Sequence, residues 1–125
     1  MLPNCPQYII ASFAILRLGA IVVNINPSYT AREALIVATD SGVRTLITLD
    51  ALAPLVQGIA PQTSIREVIV TSLPEYSSAK AAAPRVPGTI PLADLVRTWP
   101  VHDGDVAGGF LLRLLEAVMQ LVWKE

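Results

Sequence analysis

The sequence predicts an α/β fold: a partial parallel sheet of three or so strands with flanking helices, plus a C-terminal helix. Two observations lead there. Short apolar runs rich in β-branched residues alternate with segments of helical character, and the connections between them are short. The strand-like runs are also apolar throughout rather than alternating with polar residues. Strands of that kind need cover on both faces, which a parallel sheet receives from helices.

The first helix is expected after Asn4, which can cap it, with Pro6 in the first turn where a missing N–H does no harm and Gln7 at the capping-box position. Its body is almost wholly apolar (Tyr8, Ile9, Ala11, Phe13, Ile15, Leu16), so it should be covered on most sides until Gly19 stops it. Residues 20–25 read as a buried strand running into a turn at Asn26-Pro27. Thr30 and Glu33 have the spacing of a capping box, and the helix behind them should end at Ser41-Gly42. Residues 45–49 form the next expected strand. Asp50 can cap a helix over residues 51–59, with Pro54 just inside it, and residues 67–71 give a third strand.

From Leu73 to Gly88 the composition shifts to proline, serine and alanine, the mark of a long surface loop. A short helix is expected near 91–97, and a glycine-containing loop follows. Residues 110–123 are a strong helix candidate, with Arg113, Glu116, Gln120 and Lys124 forming one narrow polar stripe on an otherwise apolar segment. The chain thus divides into an α/β unit at 1–72, a loop-rich segment at 73–109 and an apolar helix at 110–125. No internal repeat is visible.

With 53% hydrophobic and 15% charged residues, disorder of the whole chain is excluded. The formal net charge of −1 provides no basic footprint for nucleic acid and no polybasic run for anionic lipid. Cys5 is the single cysteine, so an intrachain disulfide is impossible and a reducing, cytoplasmic setting fits. The N-terminus does not read as a signal peptide, and Arg17, Gly19 and Asn24 interrupt the longest apolar stretch before it reaches membrane-spanning length.

Two stretches resemble a known family. Leu2-Pro3-Asn4 with Tyr8 and the run Phe13-Ala14-Ile15-Leu16-Arg17-Leu18-Gly19-Ala20-Ile21-Val22-Val23-Asn24-Ile25-Asn26-Pro27 are similar to the early signature of the adenylate-forming superfamily. Tyr29-Thr30-Ala31-Arg32-Glu33, Asp40-Ser41-Gly42 and Thr45-Leu46-Ile47-Thr48-Leu49 continue it in register. The Asn26-Pro27 pair is most similar to the long- and medium-chain fatty acyl-CoA synthetases, the AMP-forming fatty acid–CoA ligases. The resemblance is close from Leu2 to about Thr71. It loosens over 87–107, where Ile90-Pro91-Leu92 and Gly104-Asp105-Val106-Ala107 still look familial, and it stops there.

The resemblance implies part of the large N-terminal domain of an enzyme that uses ATP and Mg²⁺ to make an acyl-adenylate and passes the acyl group to CoA. The family stabilises the triphosphate with a Thr/Ser/Gly-rich loop closed by Pro-Lys, an acidic metal- and ribose-binding pair and a C-terminal lysine. These motifs are not found in the 125 residues, so the expectation is no catalytic, cofactor-binding or metal-binding residue here. A strand preceding Met1 in the family is also missing.

Several features carry a chemical reading beside a plainer one. Thr71 to Lys80 has hydroxyls and a lysine, as a phosphate loop does, but no glycine to let backbone wrap a phosphate, and reads as a surface loop. His102, Asp103 and Asp105 suggest a metal or acid–base cluster but read as a solvated turn. Cys5 at a helix N-terminus is a nucleophile candidate with no histidine near it in sequence, and reads as packing. Asn24 and Asn26 lie where open sheets place ligands, and read as turn stabilisers. The 110–123 helix suits burial on the sheet, self-association or a partner, with membrane association weak at most. Three functional classes follow: an inactive acyl-CoA synthetase fragment, a non-catalytic interaction module, and a small α/β nucleotide binder.

Overall fold

The computed structural model describes residues 1–76, 81 and 85–98. The expected C-terminal helix at 110–123 and the loop carrying His102 lie outside them. Four helices and three strands follow in order: α1 (Pro6–Arg17), α2 (Ala31–Ser41), β1 (Thr45–Leu49), α3 (Ala53–Ile59), β2 (Glu67–Thr71), β3 (Ile90–Pro91) and α4 (Leu92–Thr98). The sheet is parallel throughout, in the order β1-β2-β3. β1 and β2 run level, with Leu46 opposite Val68 and Leu49 opposite Thr71.

Alternation along β1 and β2 sorts their side chains between two helical layers. Ile47, Leu49 and Ile69 face Cys5, Ala11 and Ala14 of the α1 segment and Leu92 of α4. Leu46, Val68 and Val70 face the other way, onto Ala34 and Ala38 of α2 and Ala53, Val56 and Ile59 of α3. The result is a three-layer unit with both sheet faces covered, as the apolar strand runs require.

Local signals account for most element ends. Thr30 caps α2: its hydroxyl accepts the Glu33 N–H at 3.4 Å, and the Glu33 carboxylate accepts the Thr30 N–H at 2.8 Å and hydroxyl at 2.7 Å. Those bonds, the hydroxyl's first, hold the Glu33 carboxyl below its ordinary pKa. Gly42 ends α2 in the left-handed region at φ 62, and Gly19 serves α1 at φ 69. The Asn26 side chain accepts the Ser28 N–H at 2.9 Å, and its carbonyl accepts the Tyr29 N–H at 3.1 Å, which makes the expected turn.

Five expectations are corrected. The cap residue of α1 is Cys5, not Asn4, and it makes no side-chain cap bond. Gln7 turns into the core instead of closing a capping box. Residues 20–25 are not a strand. Among the described residues they join no ladder, Ile21 is 87% exposed, and a groove of about 80 Å³ lies between them and β1. The β1 edge on that side receives instead the Met1 amino group, which donates to the Ile47 carbonyl at 2.8 Å. The third strand is β3, only two residues long and ending in a proline that suits an edge position.

The fifth correction concerns the cover of α1. Among the described residues, nothing shields Ile9, Phe13 or Leu16, which are 57%, 58% and 58% exposed. The expected helix at 51–59 is also divided, opening as a 3₁₀ turn over Asp50–Leu52 before α3 begins at Ala53.

The cap of α2 gives a direct test. Thr30→Ala should lower stability by about 1 kcal/mol and Thr30→Ser by much less. Gly42→Ala should cost about 1 kcal/mol through backbone strain alone, since a Cβ there meets nothing within 4 Å. Denaturant midpoints of the three variants check both statements.

Candidate functional site

Open parallel sheets present their functional groups beyond the carboxyl ends of the strands. Here that position is occupied by a small polar cluster. After β2 the chain enters a 3₁₀ turn, Leu73–Tyr76. The Thr71 hydroxyl donates to the Glu75 carboxylate, and the same oxygen accepts the Ser72 N–H at 3.1 Å. Glu75 therefore ties the turn back to the end of the strand. The N-terminal turn of α1 arrives from the sheet's α1 face, and Gln7 Nε2 donates to the Ser72 carbonyl at 2.8 Å.

Most of this cluster is buried. Gln7 and Thr71 are fully buried and Ser72 nearly so. Gln7 Oε1 and Ser72 Oγ have no hydrogen-bond partner among the described residues, nor has Thr48 Oγ1 on the opposite sheet face. Burial, and next the neighbouring Glu75 charge, push the half-buried Tyr76 phenol up to about 12. Asp50, at the carboxyl end of β1, spends a side-chain oxygen on the Ala51 N–H at 2.8 Å.

Such an arrangement does not fit a nucleotide triphosphate. Phosphate oxygens need N–H and O–H donors on a backbone free to curl around them. At the end of β2 the Thr71 hydroxyl and the Ser72 N–H already point at a carboxylate, the Ser72 hydroxyl is buried, and the turn contains no glycine. No chemical step through ATP can be built on these residues. The groove beside β1 is also unsuited to an acyl chain. At about 80 Å³ it falls well short of the ~300 Å³ or more of a ligand pocket.

The structure disperses the features singled out in the sequence. Of the Thr71 to Lys80 stretch, Thr71 to Tyr76 forms the tied turn, while residues 77–80 lie outside the description. Cys5 is buried in the core between α1 and the sheet. Asn24 accepts the Tyr8 hydroxyl at 3.3 Å, and Asn26 holds its own turn. His102, Asp103 and Asp105 lie outside the described residues. Sequence reasoning missed the roles of Gln7 and Glu75. Ser72-Leu73-Pro74-Glu75 does carry the spacing of a capping box with a proline inside it, and that signal was available.

Comparison with known proteins points in one direction. The profile of the AMP-binding enzyme family matches residues 1–106. Among curated proteins, the long-chain-fatty-acid–CoA ligase of Salmonella typhimurium is 42% identical over 81 residues, which is 64% of this chain and 14% of that protein. The enzyme of the same name from Bacillus subtilis is 38% identical over 76 residues, 61% of this chain and 14% of its own. The 4-coumarate–CoA ligase 1 of Solanum tuberosum is 33% identical over 75 residues, 60% and 14% respectively. The chain thus corresponds to about one seventh of the length of these relatives and no solved structure matches it significantly. A profile match that takes in every described element, from Met1 through α4, decides the matter: the chain belongs to the AMP-binding enzyme family.

Proposed function

We propose that these residues are a scaffold segment of an acyl-CoA synthetase of the fatty acid–CoA ligase kind, without carboxylate-activating activity of their own. In a whole enzyme of that kind, ATP, Mg²⁺ and CoA serve the reaction, and other segments supply the groups that hold them. The observation that carries this view is the use made of the strand ends. At the carboxyl end of β2 the Thr71 hydroxyl and the Ser72 N–H are both committed to Glu75 and the Gln7 amide to the Ser72 carbonyl, and the charge placed there is negative. The similarity to long-chain-fatty-acid–CoA ligases over a small share of their length supports the same view. A reducing, cytoplasmic setting is part of the proposal, and the single buried cysteine suits it. Among the described residues, no helix is long and apolar enough to cross a membrane.

On this basis the purified chain should release no pyrophosphate from ATP and a long-chain fatty acid above the protein-free blank, with a full-length relative as positive control. Measurable adenylation would overturn the proposal.

The structural role of the strand-end cluster has its own readout. Well below pH 10 the Tyr76 phenol is neutral in both folded and unfolded chains, and its titration does not affect stability. Between pH 10 and about 12 the unfolded chain ionises while the folded chain resists, so the unfolded state binds fewer protons and stability falls as pH rises. Tyr76→Phe should therefore show a shallower loss of stability over that range than the parent chain, measured by denaturant midpoint against pH. Equal slopes would assign the alkaline sensitivity elsewhere.

A further inference from the structure

Helix α1 has apolar residues on two faces. Its buried positions hold Gln7, Ala11 and Ala14, with Tyr8, Ile10 and Ile15 packed partly against the same core, while Ile9, Phe13 and Leu16 point away from the sheet. At about 100° per residue, those three fall within roughly 60° of one another, on the side opposite the buried trio. An exposed stripe of one isoleucine, one phenylalanine and one leucine on a single helix face is a surface that expects cover.

We infer that the cover is this chain's own residues 110–123, docked along Ile9, Phe13 and Leu16. Three observations select that occupant. The first is where the chain leaves the described fold. α4 packs through Leu92 into the same core as Ala11 and Ala14, so the chain departs after Thr98 on the α1 side of the sheet. The second is reach. Residues 99–109 span up to about 36 Å when extended, at ~3.3 Å each. The exposed stripe is only about 10 Å long, and a 14-residue helix measures about 21 Å. The third is pattern. Read at helical period, Arg113, Glu116 and Gln120 fall on one side, and Leu111, Leu115, Val118 and Val122 on the other.

The family match ends at residue 106, short of this segment. A short tether also favours the chain's own segment over a second copy. It holds the segment at an effective concentration in the millimolar range, which an intermolecular contact must outcompete. The inference is independent of whether the chain has enzymatic activity.

Hydrogen exchange on the full-length chain, read by mass spectrometry at two protein concentrations tenfold apart, tests it. Amides of 110–123 should exchange at least about tenfold more slowly than free peptide, equally at both concentrations. Phe13→Ser combined with Leu16→Ser should abolish that protection while β1 and β2 stay protected. If the double variant also loses β1 and β2, Leu115→Ser with Val118→Ser, in the docked segment itself, should release 110–123 alone. Free-peptide exchange in the parent chain, or protection that survives substitution of the stripe, refutes the docking. Protection that vanishes on dilution refutes it too, by assigning the stripe to a second copy.

Discussion

The parallel pairing of β1 with β2 is the constraint on which the rest of the molecule depends. A parallel ladder needs a crossover between its strands, and here α3 supplies it, running from the end of β1 toward the start of β2. Both faces of the pair are apolar, so both must be covered. α2 and α3 cover one, α1 and α4 the other. Arg66 and Glu67 fix the entry to β2 by donating their N–H groups to the Arg44 carbonyl at 2.8 and 3.2 Å, which sets the level at which the two strands run. From that register follows the position of Thr71 and Ser72, and hence the polar cluster at the strand ends.

How much of this was legible in the sequence depends on whether a feature is local. The Thr30–Glu33 box, the Asn26 turn and the Gly42 stop are decided within four or five residues, and each appears where the spacing places it. β1 and β2 were also legible, because runs of four or five apolar or β-branched residues between polar flanks have few other uses. Residues 20–25 have the same composition yet form no ladder. A strand is a relation between two segments, and the edge of β1 next to them is taken by the Met1 amino group at Ile47. Composition cannot reveal whether a partner is present. β3 failed for the opposite reason: two residues carry no periodicity, and only its pairing with Ile69 and Val70 makes it a strand.

The candidate site follows the same rule. Glu75 reaches Thr71 and Ser72 over three and four residues, a local bond whose spacing could be read. Gln7 reaches Ser72 across sixty-five residues, and nothing around it announces that. Its fully buried amide in an apolar helix is costly unless bonded, and one bond to a backbone carbonyl offsets only part of that cost. What the bond secures is position: it holds the first turn of α1 against the end of β2, an anchor that a leucine in the same volume would not supply.

Small residues at the centre of the inner face of α1, with Tyr8, Ile10 and Ile15 packed at its flanks, bear on why Ile9, Phe13 and Leu16 face out. Ala11 and Ala14 let the helix axis approach the sheet closely, and Gln7 keeps its first turn in place. A helix seated that way has little room beneath it for Ile9, Phe13 or Leu16, so these three lie on the far face. Leucine or phenylalanine beneath α1 would instead lift it and separate Gln7 from Ser72. The exposed stripe is therefore a geometric consequence of close packing on the inner side. Such a helix belongs between two apolar layers, and among the described residues the sheet with α4 provides one of them.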